Sequence, residues 1–321
     1  MAEPATPQQQ RQTAGDVLVI RPLSFSGNEV TKPTNSFQAD DENSESALIG
    51  RAAVAEFNAA VATLVAHGVN VHLFEGRNLS TLPDEVFPNN WISTHDDGTV
   101  VLYPLFAWNR RDERRRDILS ELQQRTDGFR IERVIDLSIL EGRDHFLEGT
   151  GSLVLDRRET TAYACRSQRT HAPAMHVFCQ KLDYKPILFD AIDRNGRPVY
   201  HTNVMMSLGD EFALACLESI REIKDRYRVL RRLEGSGREV IEISMDQMHA
   251  FAGNLIELQG RNGKLILISS NAARSLSANQ LAALGGHGEV VTVQVGTIEK
   301  YGGGSIRCML AEIFLPRKQP E

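Results

Sequence analysis

The sequence predicts an α/β protein built from one recurring unit, and three observations support that prediction. Segments with apolar residues at helical spacing alternate with short apolar strands, such helix-then-strand units follow one another five times, and pairs of short strands separate them. A repeat of roughly 45–60 residues favours modules arranged around an axis over a doubly wound sheet. Residue identities do not recur, so the order of elements alone supports an ordinary α/β sheet almost equally well.

The first unit shows the pattern most clearly. Val54, Phe57, Val61 and Leu64 recur at helical spacing within residues 46–67, and an apolar alternation over residues 69–74 predicts a strand. Later units predict helices over residues 111–125, 172–182, 216–228 and 277–284, and strands over residues 131–137, 184–189, 240–244 and 290–295. The intervening strands are predicted over residues 100–103, 153–155, 161–165, 199–204, 212–215, 255–258 and 264–269. Ser277 and Gln280 have the spacing of a capping box.

The composition argues against several classes of protein. The 321 residues carry 36 Lys+Arg against 42 Asp+Glu, a formal net charge of −6, which gives no support for a nucleic-acid partner held by phosphate contacts. No uninterrupted apolar run approaches the roughly 18–20 residues of a membrane span, so no membrane partner is expected. Residues 1–15 predict a disordered tail before a single domain over residues 16–317, and cytoplasmic residence is the expectation.

Only one of the 4 cysteines has an unusual setting. Cys165, Cys179, Cys216 and Cys308 are widely spaced, which fits neither a disulfide framework nor a zinc site and indicates a reducing compartment. Residues 301–308 read Tyr-Gly-Gly-Gly-Ser-Ile-Arg-Cys, and three glycines let the backbone take positive φ and pass close to a ligand just before the Cys308 thiol. The other three cysteines lie in apolar patterns and are predicted to fill the core.

A nucleophilic thiol needs a partner that carries protons, and His201 stands out among the 9 histidines. It lies in Tyr-His-Thr-Asn-Val, at the end of a predicted strand. Glu148, in Leu-Glu-Gly-Thr-Gly-Ser, is a carboxylate that could orient an imidazole or bind a nitrogen-rich substrate. Taken alone, His201 is read more simply as a hydrogen-bonded structural residue and Glu148 as a helix cap or turn residue.

Three further segments carry polar residues of interest. Phe-Pro-Asn-Asn-Trp, which contains Asn90, and Ser-Gln-Arg-Thr, which contains Arg169, are by themselves a turn and the charged start of a helix. Residues 24–44 form a long polar connection before the first helix. Such connections are often lids or binding loops, and a solvated surface loop is the equally supported alternative.

Together these motifs resemble the guanidino-group-modifying superfamily, whose five-bladed, pseudo-symmetric α/β-propeller is called the pentein fold. It includes arginine deiminases, agmatine deiminases, dimethylarginine dimethylaminohydrolases and amidinotransferases. The resemblance implies that Cys308 is the nucleophile, His201 the general acid/base and Glu148 the carboxylate of the site. It also matches Arg169 to an arginine that helps to hold the α-carboxylate of the substrate.

Two departures from the family pattern concern the substrate. Where deiminases have Asp, this chain has Asn90 and Asn203. A guanidinium offers only donors and suits carboxylates, whereas a neutral ureido group carries an acceptor oxygen that an amide N–H can meet. The motifs are most similar to those of the citrulline-utilisation type, which implies a cofactor-free hydrolase of L-citrulline, a small amino-acid substrate. A homodimer is one expectation for the oligomeric state.

Other readings of the sequence stay open. A guanidine substrate, such as arginine or a methylated arginine, would need charge from nearby acids such as Asp96, Asp97 or Asp210. A pentein scaffold that has lost catalysis and serves as a binding module is the alternative outside enzymes. No metal site is predicted, because His171 and His176 are too far apart around a helix and no His-Glu-x-x-His arrangement occurs.

Overall fold

Five three-stranded sheets form the blades of the molecule. The structure, a computed structural model, describes residues 11–23, 25–38, 46–77, 82–125 and 127–318. The strands, β1 to β15 in chain order, are Asp16–Arg21, Asn70–Glu75, Ile92–Thr94, Thr99–Leu102, Arg133–Asp136, Val154–Asp156, Thr161–Cys165, Lys185–Phe189, Met206–Leu208, Phe212–Ala215, Glu239–Glu242, Ile256–Gly260, Gly263–Ser269, Glu289–Val293 and Ala311–Ile313. Their arrangement confirms the five-bladed α/β-propeller, the pentein fold, that the sequence predicts.

Each blade is built in the same way. Its middle strand pairs antiparallel with one neighbour and parallel with the other, as β7 does with β6 and β8. Parallel neighbours cannot be joined by a tight turn, so the chain must cross over between them, and a helix makes that crossing. This explains why the sequence shows a strand pair, then a helix, then a strand in every unit.

The end of the chain completes the first blade. The last strand, β15, pairs antiparallel with β1, with Asp16 opposite Ile313 and Leu18 opposite Ala311. β1 in turn pairs parallel with β2 over six residue pairs from Asp16 and Asn70 onward. The ring of blades therefore closes only when residues separated by nearly the whole sequence come together.

The helices agree with the sequence in part. In the described residues α1 to α9 are Ser46–Ala66, Arg116–Gln124, Gly149–Ser152, Ala172–Leu182, Ile223–Gly235, Met245–His249, Ser270–Ser275, Ala278–His287 and Gly296–Gly302. The capping box at Ser277 and Gln280 is confirmed. The helix predicted over residues 216–228 is wrong in position: Leu217–Ser219 is a 3-10 turn, and α5 begins only at Ile223.

The strand predicted over residues 199–204 is also wrong. Val199, Tyr200 and Val204 are buried, which resembles a core strand in sequence, but residues Thr202–Val204 form a 3-10 turn and the strand begins at Met206. The helix predicted over residues 111–125 is shorter than expected, since residues Trp108–Glu113 form a 3-10 segment before α2. Both differences place polar side chains on tight turns next to the blades.

The first helix is the most apolar one described. Its segment Ala47–Ala66 is long and apolar enough to cross a membrane by length and composition, with a hydropathy of 1.4, a criterion that core helices of soluble proteins also pass. Arg51 and Glu56 interrupt the apolar run, and Phe57 and Leu64 are buried in the core beside β1. In this structure α1 is a packing helix of the first blade.

The packed structure begins before the predicted domain boundary. Gln12 is buried, donates to the carbonyl of Leu155 and accepts from the amide of Arg157, and Ala14 is buried and bridges to Leu258. Within the predicted tail, residues 12–14 therefore belong to the packed body, while residues 1–10 lie outside the described residues. A single domain over residues 16–317 stays a prediction.

The buried ion pair between Arg238 and Asp156 yields a stability prediction. The guanidinium is 1% exposed, the carboxylate 0%, and their closest approach is 2.6 Å. Arg238→Ala leaves the Asp156 charge buried without its partner, so we expect the free energy of unfolding to fall by about 3–5 kcal/mol. Urea denaturation measures it.

The matched control for this pair is Arg130→Ala. Arg130 pairs with Glu132 at 2.7 Å, but both side chains are more than half exposed, so the expected change is about 0–1 kcal/mol. Equal effects of the two substitutions would contradict the importance given to burial.

Candidate active site

One short segment of each blade carries a polar side chain to a common centre. In every blade that segment lies directly before the antiparallel strand at the inner edge, namely β3, β6, β9, β12 or β15. These segments supply, in order, Asn90, Glu148, His201 with Asn203, Asn254 and Cys308. Because tight turns and not strands hold these residues, their side chains can leave the sheets and converge.

Glu148 and His201 form the tightest contact of the centre. His201 Nε2 lies 2.8 Å from Glu148 Oε2, and both side chains are buried. Glu148 lies at the N-cap position of α3, where its side chain makes no capping bond, and its other oxygen accepts from the amide of Phe106 at 3.0 Å. The carboxylate is therefore held at both oxygens, and it holds the imidazole.

The charge states of this pair follow from their surroundings. Burial alone would raise the pKa of Glu148, but the hydrogen bond from His201 and the charges of Arg169 and Arg110 outweigh it and lower the pKa to about 2. Burial lowers the pKa of His201 to about 4, against the raising effect of Glu148. An ionised carboxylate only accepts, so Nε2 carries the imidazole proton and Nδ1 is the basic nitrogen.

Cys308 lies among amides. Its sulfur is 3.4 Å from Asn203 Nδ2 and 3.3 Å from Asn254 Nδ2. Burial raises the pKa of the Cys308 thiol, and the hydrogen bonds from the two amides act against that rise. The thiol is thus the more stable form of Cys308, and its ionisation requires a base such as His201, which lines the same cavity.

The glycine motif packs the site closely, as the sequence suggests, although only one glycine has positive φ. Gly303, at φ 62°, ends α9, and a Cβ there would lie 2.3 Å from the Asn35 amide nitrogen. A Cβ on Gly302 would meet the ring of Phe87 at 2.8 Å. Cys308 itself lies on a turn and not on a strand. The turn is closed by a hydrogen bond from the backbone N–H of Cys308 to the carbonyl of Ser305.

Arg110 was not identified from the sequence, yet it connects most of the charged groups. It is buried, pairs with Glu113 at 2.8 Å and Asp84 at 3.3 Å, and approaches Glu148 at 3.7 Å. Its NH1 also donates to Asn90 Oδ1 at 3.0 Å. Because a guanidinium cannot accept, the oxygen of the Asn90 amide must face Arg110.

Asp84 is the second residue that the sequence did not reveal. It lines the same cavity, accepts from Asn28, and its Oδ1 is buried without a hydrogen-bond partner in the described structure. Two acids that the sequence suggested as sources of negative charge for a guanidine substrate lie elsewhere. Asp97 pairs with Arg133, and Asp210 pairs with Lys264. The one sequence feature that could have pointed to Asp84 is its position, only six residues before Asn90.

Arg169 lies in the site and is bonded to the segment that precedes the first helix. Its NH2 donates to the carbonyl of Thr31 and to Thr34 Oγ1, and its NH1 is 3.7 Å from Glu148. It is stacked over the ring of Tyr200 at 4.9 Å. Thr31 and Thr34, in the segment predicted over residues 24–44, therefore lie against the site, while residues 24 and 39–45 lie outside the described residues.

The cavity at the site is small. It is lined by Asn90, Arg110, Arg169, His201 and Cys308, with Asn35, Asp84, Phe87, Tyr200 and the three glycines, and its volume is about 10 Å³. That is room for about one water molecule. Asn203 contacts Cys308 but lines a second cavity of about 30 Å³, which is also lined by Glu257 and Ser207. The Oδ1 of Asn203 is buried without a hydrogen-bond partner in the described residues.

The six residues predicted for the site thus lie in one region: four of them line a single cavity, and Glu148 and Asn203 contact His201 and Cys308 beside it. Cys165, Cys179 and Cys216 are buried in the core clusters, as predicted for fillers, and burial raises their pKa values to about 12, 12 and 11. Within the described ranges no group of three or more His, Cys, Asp or Glu side chains is placed to hold a metal ion.

A Cys, His and Glu brought together by five α/β blades define the class: a guanidino-group-modifying pentein. A family model, N,N dimethylarginine dimethylhydrolase, eukaryotic, matches residues 21–315, and the chain belongs to that family. The description of that family names a hydrolase that acts on N,N-dimethylarginine, a guanidino compound. A search of curated proteins found no match.

Solved structures show the same fold. ArgZ, an arginine dihydrolase from the ornithine-ammonia cycle in cyanobacteria, superposes with a TM-score of 0.73 at 16% identity, over 95% of this chain and 41% of that one. The N-terminal domain of ArgZ bound to substrate superposes with a TM-score of 0.71 at 16% identity, over 94% of this chain and 99% of that one. A dimethylarginine dimethylaminohydrolase superposes with a TM-score of 0.62 at 16% identity, over 93% of this chain and 99% of that one. The chain thus spans about two-fifths of full-length ArgZ.

Gly151 gives a direct test of the site geometry. A Cβ at this position would lie 2.7 Å from His201 Nδ1 and 2.6 Å from Asn90 Nδ2, so Gly151→Ala must displace one of them. We expect kcat/KM to fall by about 10²-fold, since misplacement by about 1 Å has that effect. Gly142→Ala, where a Cβ meets nothing within 4 Å, is the control and should match the parent enzyme. Unchanged kcat/KM in the Gly151 variant would refute this geometry.

The buried histidine predicts an unusual pH profile. With the pKa of His201 lowered to about 4, the neutral base persists through mild acid, and kcat/KM should fall only as pH drops through about 4. Glu148→Gln removes the charge that raises this pKa, so its acid limb should move lower still while kcat/KM drops by about 10²–10⁴-fold. Stopped assays from pH 3 to 9 measure both. An acid limb near pH 6.5 would contradict a buried neutral His201.

Proposed function

We propose that the protein hydrolyses L-citrulline to ornithine, ammonia and carbon dioxide, without a cofactor. The observation that carries the proposal is the orientation of the Asn90 amide. Its oxygen accepts from Arg110, and its nitrogen donates one N–H to Asn89 Oδ1 at 3.0 Å. The remaining N–H is left for the cavity, beside His201 Nδ1 across Gly151.

A donor at this position suits a ureido group. The ureido oxygen accepts the Asn90 N–H, whereas every nitrogen of a guanidinium is itself a donor and would oppose it. Asp at position 90 would instead offer an acceptor, and Arg110 would neutralise much of its charge. The Asn90 amide therefore favours a ureido group over a guanidinium by its hydrogen-bond polarity, which is the preference that the sequence predicts.

The reaction divides into two steps. Cys308 attacks the ureido carbon while His201 Nδ1 takes the thiol proton and passes it to the departing δ-amine, which leaves as ornithine and leaves a carbamoyl group on sulfur. His201 then takes a proton from water, the hydroxide adds to the carbamoyl carbon, and the thiol is restored. The released carbamate decomposes to ammonia and carbon dioxide, which balances one citrulline and one water.

The other residues have supporting roles in this proposal. Glu148 holds the imidazole and stabilises its protonated form, as the carboxylate of a catalytic triad does. Asn203 contacts the attacking sulfur through its Nδ2. Arg169, once released from Thr31 and Thr34, would pair with the α-carboxylate of the amino acid.

A substrate panel tests the proposal. Purified protein is incubated with citrulline, arginine and asymmetric dimethylarginine, with Cys308→Ser as the blank, and ornithine and citrulline are quantified. Ornithine from citrulline, absent in the blank, supports the proposal. Failure to form ornithine from citrulline would reject it.

Substitution at position 90 tests the amide argument separately. Asn90→Asp replaces the N–H by a carboxylate oxygen, so we expect kcat/KM for citrulline to fall by about 10-fold or more while the preference shifts toward arginine. Steady-state kinetics on both substrates measure the ratio. An unchanged ratio in a folded variant would remove the basis for the ureido preference.

A guanidine substrate is the second candidate, and Asp84 favours it. Asp84 lines the cavity and its Oδ1 is buried without a hydrogen-bond partner among the described residues, so a cationic group bound there would be stabilised. The structural neighbours include an arginine dihydrolase and a dimethylarginine dimethylaminohydrolase. Citrulline formed from arginine or dimethylarginine in the panel would select this candidate, and Asp84→Asn should then lower that activity more than any activity on citrulline.

A further inference from the structure

Asn254 occupies in its blade the place that the predicted catalytic residues occupy in theirs. It lies two residues before β12, on the turn after α6, just as Asn90 lies two residues before β3. The sequence around it, Phe-Ala-Gly-Asn-Leu, gives no sign of chemistry. Its side chain is nevertheless fully buried at the centre of the ring.

The backbone fixes the orientation of the Asn254 amide. Its Oδ1 accepts from the Arg307 amide at 3.1 Å, and its Nδ2 donates to the Asn203 carbonyl at 2.9 Å. Since the first partner can only donate and the second can only accept, the amide cannot be rotated end for end without losing both bonds. The second N–H of Nδ2 is then directed to Cys308 Sγ at 3.3 Å.

A hydrogen-bond donor at this position would stabilise the thiolate of Cys308, which is buried away from water. A buried thiolate is costly unless hydrogen bonds compensate for lost water, and His201 is held by Glu148. The bond from Asn254 is one of those that act against the burial-driven rise of the Cys308 pKa. The Asn254 Oδ1 also lies 3.7 Å from the sulfur, within reach of the S–H.

We propose that Asn254 is a further catalytic residue, which positions Cys308 Sγ and donates an N–H to the sulfur in its ionised form. The inference rests on the proposed function only in taking Cys308 as the nucleophile. It applies equally to a ureido or a guanidine substrate, because the donor acts on the sulfur before either is attacked.

The test reads the thiol without any substrate. Purified protein is treated with iodoacetamide across pH 6 to 11, and mass spectrometry of the peptide that contains Cys308 gives its rate of alkylation. We expect Asn254→Ala to raise the pH midpoint by about one unit and to slow alkylation at neutral pH by about tenfold. Asn195→Ala, at an exposed turn, is the matched control and should leave the midpoint unchanged. A folded Asn254→Ala protein with the parental midpoint would overturn the proposal.

A second variant covers the case in which the alanine protein does not fold. Asn254→Asp keeps the size of the side chain and an oxygen for the Arg307 amide, but its negative charge opposes the thiolate, so the midpoint should rise by at least as much. A parental midpoint here also counts against the proposal. Because no substrate is used, a raised midpoint supports the role of Asn254 even if citrulline is not hydrolysed. If citrulline is hydrolysed but both variants keep the parental midpoint, the proposed function stands and the role of Asn254 is rejected.

Discussion

The active centre depends on the closure of the ring by β15 and β1. Glu148 and His201 are brought together by consecutive blades, but Cys308 reaches them only because the last strand returns to the first. The contacts of Asn203 and Asn254 with its sulfur cross between blades in the same way. Folding and assembly of the site are therefore one event, since no single blade carries a usable part of it.

Within that ring, a buried cluster of charges sets the polarity of the cavity. Arg110 lies near Asp84, Glu113 and Glu148, so one guanidinium contacts three acidic side chains, and burial raises the pKa of Glu113 to about 8. Burying such groups is costly unless each is paired and hydrogen-bonded. The same arginine turns the Asn90 oxygen away from the ligand space, which links the electrostatic balance of the cluster to the recognition of the substrate.

The sequence allowed Cys308, His201 and Glu148 to be predicted because each stands in a distinctive local motif, and the repeated helix-strand order indicated the propeller. Arg110, Asp84 and Asn254 were missed because no distinctive motif surrounds them, and the contact of Asn254 with Cys308 joins positions that are 54 apart. The strand predicted over residues 199–204 failed for a related reason. Burial from tertiary packing imitated a strand pattern, while the backbone bonds there form a 3-10 turn.

The contacts of Arg169 link substrate binding to bonds within the protein. Arg169 donates to Thr31 and Thr34, which belong to residues 25–38, and the cavity that it lines measures about 10 Å³. If this arginine binds the carboxylate of the substrate, as proposed above, its bonds to Thr31 and Thr34 must first be broken. The free energy of those bonds is then subtracted from the apparent affinity for the substrate.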